Sequence, residues 1–496
     1  MSQELVEEVA SLALRYVTDP PTEAAPVVDF SSPDDLLETF ESGVPLPFED
    51  RSNPVSEAAL VAAMRLVIKH SVQTAHPRFL NQNFAGPDPI SVVGDWLGAA
   101  LNTTGATFEA APVFTLMESA LLHKLGRFAG YVDGGADVPM LPPGLFCPGG
   151  SSATLYALQL ARHRLEPDAV RVGASGRRLV LFVSSSGHYA ATKSASLMGL
   201  GTEAVIKVAT DQHGAMRPKA LEAEIAAANV RGEVPFAVIA TAGTTVTSAF
   251  DDIHALADVC GSHDLWLHVD GCYGGSALFS PEQEHLLAGL ERSDSFVWNL
   301  HKMMGMTQQC TALLVKDPTQ LAPCFACRAD YIFQPDKLYT EYDSGDRTFQ
   351  CARRIDSLKL WLSWKAHGDD GFAARIDHAV AMAAHARQQI EESDGALVEV
   401  AGSFTNVVFA WVPPDLRPLE LDVRSIAALA PDTRDRLHGL PPKIKARMQR
   451  EGTAMVGYQP VHGLNTFRLL FMNPTVTTRD VDAVLSVIAQ YGSSEA

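Results

Sequence analysis

Between about residues 145 and 316, short apolar runs alternate with stretches of helical spacing. Positions 179–183, 204–208, 236–240, 265–269, 296–298 and 312–315 are clusters of aliphatic and aromatic residues that predict buried strands. Segments 218–228 and 252–263 separate several of them and place apolar residues at helical intervals. Strands alternating with helices predict an α/β fold, a mostly parallel sheet covered on both faces. Residues 1 to about 75 read differently. They predict a helix, a connector rich in Pro, Asp and Ser (Asp19-Pro20-Pro21, then 31–35), and a second helix over 56–70 opened by a serine cap. That segment is too interrupted to own a core and is expected to pack on the rest of the chain or on a partner subunit. Beyond about 351, helical patterns at 355–366 and 372–392 precede strand-like runs at 406–411 and 466–471, which predicts a separate α+β domain. The expected division is therefore 1–75, 76–350 and 351–496.

Polar residues gather where the predicted strands stop. Asp270 ends the run 266–269, and Lys302, with Asn299 and His301, follows the run 295–298. Open α/β sheets place their sites at such strand ends. A lysine at an apolar rim can lose its charge by desolvation and add to an aldehyde as a Schiff-base nucleophile. A carboxylate at a neighbouring strand end complements a pyridinium nitrogen. Lys302 with Asp270 is thus the protein's share of pyridoxal phosphate chemistry, although one isolated pair is more often a structural ion pair.

Other rim loops shift that balance. Cys147-Pro148-Gly149-Gly150-Ser151-Ser152 precedes a helix, and free N–H groups at a helix N-terminus cradle phosphate; alone, such a stretch is more often a cap. Ser186-Gly187-His188-Tyr189 offers an imidazole that can stack on a pyridine ring, or a surface-loop histidine. Thr241-Ala242-Gly243-Thr244-Thr245 offers hydroxyl donors, or turn chemistry. Five rim loops together supply every group that a pyridoxal phosphate site needs.

Composition narrows the partners. At 496 residues the chain exceeds one ordinary core, and 47% hydrophobic with 20% charged residues is globular. A net charge of −19 disfavours nucleic acid and anionic membrane, and an anionic substrate would need local cations. The acidic start Met1-Ser2-Gln3-Glu4 lacks the pattern of a signal peptide, and no apolar stretch approaches the roughly 20 residues that span a bilayer. A cytoplasmic protein is expected. Seven scattered cysteines suit reduced thiols, and the lone pair Cys324 and Cys327 is read as packing, with no metal site expected.

Longer motifs carry a resemblance. They run from 76–82 through 108–114, 241–245, 268–270, 299–305, 331–337 and 452–460 to Arg468 and Asn473-Pro474. In these the chain resembles the group II pyridoxal phosphate amino acid decarboxylases, in particular the glutamate, cysteine sulfinate and aspartate branch, over more than three-quarters of its length. The resemblance implies the aspartate aminotransferase-like fold of type I pyridoxal phosphate enzymes. It implies that Lys302 carries the cofactor, Asp270 pairs with its ring nitrogen and His188 stacks on the ring. Ser151, Ser152 and His301 would hold the phosphate, with Asn299 beside them, and Thr245 would meet the ring hydroxyl side. Two motifs depart from the family. Leu300 stands where proline is usual before His-Lys, and Gly271-Cys272-Tyr273 replaces Ala-Ala-Trp, so that Cys272 puts a thiol where a methyl would touch the cofactor.

The same resemblance assigns Arg468 to the substrate α-carboxylate and Tyr331, in a mobile loop that crosses a dimer interface, to protonation of the product. A homodimer with shared sites follows. Gln82 would lie at the distal end of the substrate pocket, and Phe84 stands where glutamate decarboxylases carry a small hydroxyl residue. A ring there fills the volume of one methylene, so cysteine sulfinate and aspartate rank above glutamate. An aminotransferase or another lyase on the same fold, and a scaffold without activity, are the competing classes.

Overall fold

The computed structural model describes residues 2–19, 21–41, 43–48, 53–133, 141–334 and 336–495. Pro20 of the connector and Pro335 of the loop motif lie outside them. In chain order the strands are β1 Phe79–Leu80, β2 Gly144–Cys147, β3 Leu179–Ser184, β4 Val205–Val208, β5 Val234–Thr241 and β6 Trp266–Asp270. They continue as β7 Ser295–Asn299, β8 Thr311–Val315, β9 Leu397–Ala401, β10 Asn406–Trp411, β11 Met455–Val461 and β12 Leu464–Leu470. The chain forms two compact units.

The larger unit, Ile90–Val380 with Gly402–Thr405, holds a seven-stranded sheet in the order β2-β8-β7-β6-β5-β3-β4. The strands β7, β6, β5, β3 and β4 run parallel, β8 runs antiparallel to β7, and the edge strand β2, antiparallel to β8, shares the direction of the five. All residues of β3, β6, β7 and β8 are buried, as expected of a sheet covered on both faces. The helix Gly150–Leu165 packs its Ala153, Tyr156, Ala157, Leu160 and Ala161 into the same core as Leu181, Trp266 and Val297. The predicted helices appear as Pro218–Val230 and Ile253–His263, the second capped by Asp252, whose side chain accepts from Ala255 N–H at 3.0 Å. The carboxyl ends of β3, β5, β6 and β7 therefore share one rim, and the polar loops read from the sequence all leave from it.

The smaller unit, Met1–Pro89 with Ala381–Ala401 and Asn406–Ala496, contains a five-stranded sheet in the order β1-β11-β12-β10-β9. Its N-terminal part gains a core from the C-terminal part: β1 pairs in parallel with Met455 and Val456, and Val27 N–H donates to Gly452 O at 2.8 Å. The helix Glu57–His70 starts as expected, with Ser56 accepting from Ala59 N–H at 3.2 Å. The two helical patterns of the tail form one run, Ser357–Glu391, interrupted at Gly368 (φ 66°, ψ −177°). Among the described residues no helix is long and apolar enough to cross a membrane.

Candidate active site

A cavity of about 170 Å³ opens at the carboxyl rim of the large sheet. Ser151, His188, Thr245, Asp270, Cys272, Asn299 and Lys302 line it, so seven of the residues singled out in the sequence converge. Asp270 ends β6, Asn299 ends β7, and Lys302 follows in a turn whose Lys302 N–H donates to Asn299 O at 3.1 Å. Asn299 Oδ1 accepts from the Thr311 hydroxyl of β8 at 2.9 Å, which fixes the amide at the strand end. The helix Gly150–Leu165 brings its N-terminus to the cavity through Gly150, Ser151 and Thr154, and the first N–H groups of a helix lack intrahelical partners.

Electrostatics separates the roles. Burial works to raise the Asp270 carboxyl, but the Lys302 charge, the Cys272 N–H at 3.1 Å and the His188 ring outweigh it, and the group stays below the ordinary aspartate value. Asp270 is therefore ionised at neutral pH. Burial lowers His188 against the opposing pull of Asp270, and its Nδ1 accepts from Ala190 N–H at 3.2 Å, so the ring is neutral; the Tyr189 ring lies 4.0 Å from it, centroid to centroid. Burial, reinforced by Asp270, pushes the Cys272 thiol well above its ordinary value. It is a packing thiol and no nucleophile.

Two features fit a phosphorylated pyridine aldehyde. The Thr241 hydroxyl lines the cavity, is buried, and has no hydrogen-bond partner in the protein. A Cβ on Gly150 would lie 2.3 Å from Cys272 Sγ and 3.1 Å from the Asn299 amide, so only glycine lets the helix start this close to β6 and β7. An ionised carboxylate, an amine, an orphaned hydroxyl and free helix N–H groups in one cavity are the donor and acceptor set that such a cofactor uses.

The remaining candidates lie elsewhere. Ser152 does not line the cavity; its hydroxyl lies 3.5 Å from Pro148 O. His301 is turned onto the backbone of Cys310, with Nδ1 3.1 Å from its nitrogen, and burial lowers its pKa to about 4. Tyr331 stands 81% exposed on its loop. Gln82 is exposed, Phe84 packs its ring 5.6 Å from that of Phe79, and Arg468 on β12 donates to Asn81 O at 2.8 Å; these three belong to the smaller unit. The sequence reading missed Thr154 and Tyr273, which also line the cavity. Thr154 lies one helical turn beyond Ser151, a spacing that could have revealed it.

Comparison with known proteins agrees with this geometry. A family model described as the pyridoxal-dependent decarboxylase conserved domain matches residues 41–412. The chain belongs to the pyridoxal-dependent decarboxylases. It is 42% identical to the cysteine sulfinic acid decarboxylase of Homo sapiens over 94% of this chain and 91% of that one. It is 39% identical to the acidic amino acid decarboxylase GADL1 of Bos taurus over 99% and 91%. The crystal structure of mouse CSAD in apo form superposes with a TM-score of 0.90 at 38% identity, covering 99% of this chain and 98% of that one. As a member of this family, the chain is an amino acid decarboxylase whose cofactor is pyridoxal phosphate.

Proposed function

We propose that this decarboxylase removes the α-carboxylate of a short acidic amino acid, converting cysteine sulfinate to hypotaurine, aspartate to β-alanine, or both. The observation that carries the reading is the single cavity in which Lys302 and an ionised Asp270 meet. Its relatives add support, since those quoted above are named for cysteine sulfinic acid and for acidic amino acids. The alternative is a glutamate decarboxylase producing 4-aminobutyrate.

When bound, pyridoxal phosphate supplies the electron sink that makes loss of carbon dioxide feasible. Lys302 supplies the amine that attaches the cofactor. Asp270 keeps the ring nitrogen protonated: an ion pair at about 4 Å in an effective dielectric near 20 is worth roughly 4 kcal/mol, or about three decades in a protonation equilibrium. His188 offers its neutral ring as a plate. Ser151 and the first N–H groups of its helix would hold the phosphate, and Thr245 would meet the ring hydroxyl side. Arg468 takes the substrate α-carboxylate, Gln82 and Phe84 shape the distal end, and Tyr331 returns a proton to the former α-carbon. The working form is a cytoplasmic homodimer in which the segment 1–75 lies at the interface, 76–350 holds the cofactor, 351–496 completes the protomer, and Tyr331 serves the partner's site.

Lys302→Ala tests the cofactor assignment. The variant is expected to lose the visible absorbance of bound cofactor and all turnover. Borohydride-trappable cofactor at the native site of that variant would refute the role.

A further inference from the structure

Farther along the helix that brings Ser151 to the catalytic cavity, a second cavity of about 260 Å³ opens within the larger unit. Leu155, Gln159 and Arg162 stand at i, i+4 and i+7 of the helix Gly150–Leu165, a spacing that puts all three on one face. Apolar side chains make up the rest of the wall. Leu197 and Met198 come from the end of the helix Ala190–Leu197, Phe325 from the end of the helix Leu321–Phe325, and Phe349 from the chain beyond. The Tyr156 ring joins them, stacked on Phe349 at 4.5 Å between centroids and edge-on to Phe325 at 4.9 Å. Its hydroxyl is already bonded to Thr348 and accepts from Phe349 N–H at 3.2 Å.

This wall is incomplete in two ways. Leu197 is 75% exposed and Phe349 56% exposed, so apolar surface faces water at a concave place. Arg162 is the single charged side chain among the described residues that line the cavity. Its Nη1 donates to Met198 O at 3.3 Å, but its Nε is buried without a hydrogen-bond partner. Among the described residues no carboxylate lies within 4 Å of the guanidinium. The Cys324 thiol, which feels that charge, is pushed up to about 12 by burial and supplies no anion. A buried donor left unpaired is costly, and charge-assisted bonds from a guanidinium to a carboxylate are among the strongest available to offset it. One cation suits a monoanion, since a phosphate dianion asks for further positive charge that this wall lacks.

We propose that the cavity is a binding site for an amphipathic monocarboxylate, whose apolar body lies against Leu155, Phe325 and Phe349 and whose carboxylate meets Arg162. Neither Arg162 nor the apolar wall belongs to the groups assigned to catalysis, so the inference does not depend on which acid the enzyme decarboxylates.

Calorimetric titration of the holoenzyme with 4-phenylbutyrate tests the site, with 4-phenylbutan-1-ol as a neutral analogue of the same apolar body. Saturable binding of the acid to wild type is expected, with the alcohol weaker by roughly 10-fold or more. Arg162→Gln should weaken phenylbutyrate roughly 10- to 100-fold and leave the alcohol nearly unchanged. Leu197→Asp changes an exposed position, where folding is little at risk, and should weaken the acid more than the alcohol by like-charge repulsion. Both variants should decarboxylate as wild type does, because neither residue lines the catalytic cavity. Absence of saturable phenylbutyrate binding, or equal affinity of wild type for acid and alcohol, would overturn the proposal. So would acid affinities of both variants within roughly twofold of wild type, the result expected if the acid bound at the catalytic cavity instead.

Discussion

Lys302 and Asp270 were legible as a pair because each chemistry-bearing side chain follows an apolar run, and the end of a buried strand is a place sequence can mark. Their surroundings were less legible. Thr241 was read only as one donor in a loop, yet its buried hydroxyl has no hydrogen-bond partner in the protein; partner counting requires coordinates. The family resemblance places Ser152 and His301 at the phosphate, and the structure turns one toward a backbone carbonyl and the other onto Cys310. Two substitutions test roles at this scale. Phe84→Ser enlarges the proposed distal end by about a methylene, so relative kcat/KM should move toward glutamate by roughly 10- to 200-fold; competition assays with paired substrates read the ratio, and no shift would remove Phe84 from the specificity argument. Tyr331→Phe should still release carbon dioxide but divert product toward aldehyde and inactivated cofactor. Amine formation at the wild-type rate, without aldehyde by product analysis, would contradict its proton-donor role.

Elements were read well where their length and periodicity were ordinary. Strands β3 to β8 and the helices between them follow the apolar pattern because a parallel sheet covered on both faces needs continuous apolar runs. Strand β2 escaped: four residues between Pro143 and Pro148, pairing antiparallel at the edge with β8, carry no period of their own. It nonetheless delivers the chain to Gly149 and Gly150. Gly150→Ala should place a methyl against Cys272 Sγ and cost about 1–3 kcal/mol by overpacking. In denaturant titrations most of that cost should disappear in the Cys272→Ala background; an additive double mutant would show that the thiol is not the obstacle.

Strand β6 carries a second element-scale consequence. Trp266, His268 and Asp270 alternate onto one face, and Trp266 Nε1 and His268 Nδ1 share the Ser295 hydroxyl at 2.8 and 2.9 Å. Burial lowers the His268 pKa to about 4. Above pH 6.5 the ring is neutral in folded and unfolded chains alike. As pH falls from 6.5 toward 4, the unfolded chain takes a proton that the buried ring refuses, so the native state loses about 3 kcal/mol over that window. Unfolding midpoints of wild type and His268→Gln should therefore change in their separation between pH 7 and pH 4, with wild type the more acid-sensitive. Parallel curves would mean the ring is not held neutral.

At the scale of the whole molecule, the apolar pattern indicated an α/β region followed by an α+β region, and both sheets are present. It did not indicate that residues 2–89 build their core on the C-terminal strands, because the link is a two-residue strand, β1, and single backbone contacts such as Val27 to Gly452. Such pairings leave no periodic trace. Composition bounded the chemistry in a different way: a chain of net charge −19 must concentrate cations wherever it receives an acid. The central claim, decarboxylation of a short acidic amino acid, is tested most directly by measuring carbon dioxide and amine released by the holoenzyme from cysteine sulfinate, aspartate, glutamate and an aromatic amino acid. The expected result is stoichiometric carbon dioxide and amine, with kcat/KM for cysteine sulfinate or aspartate above that for glutamate and negligible release from the aromatic substrate. Absence of carbon dioxide from every acidic substrate, or formation of a keto acid in its place, would contradict it.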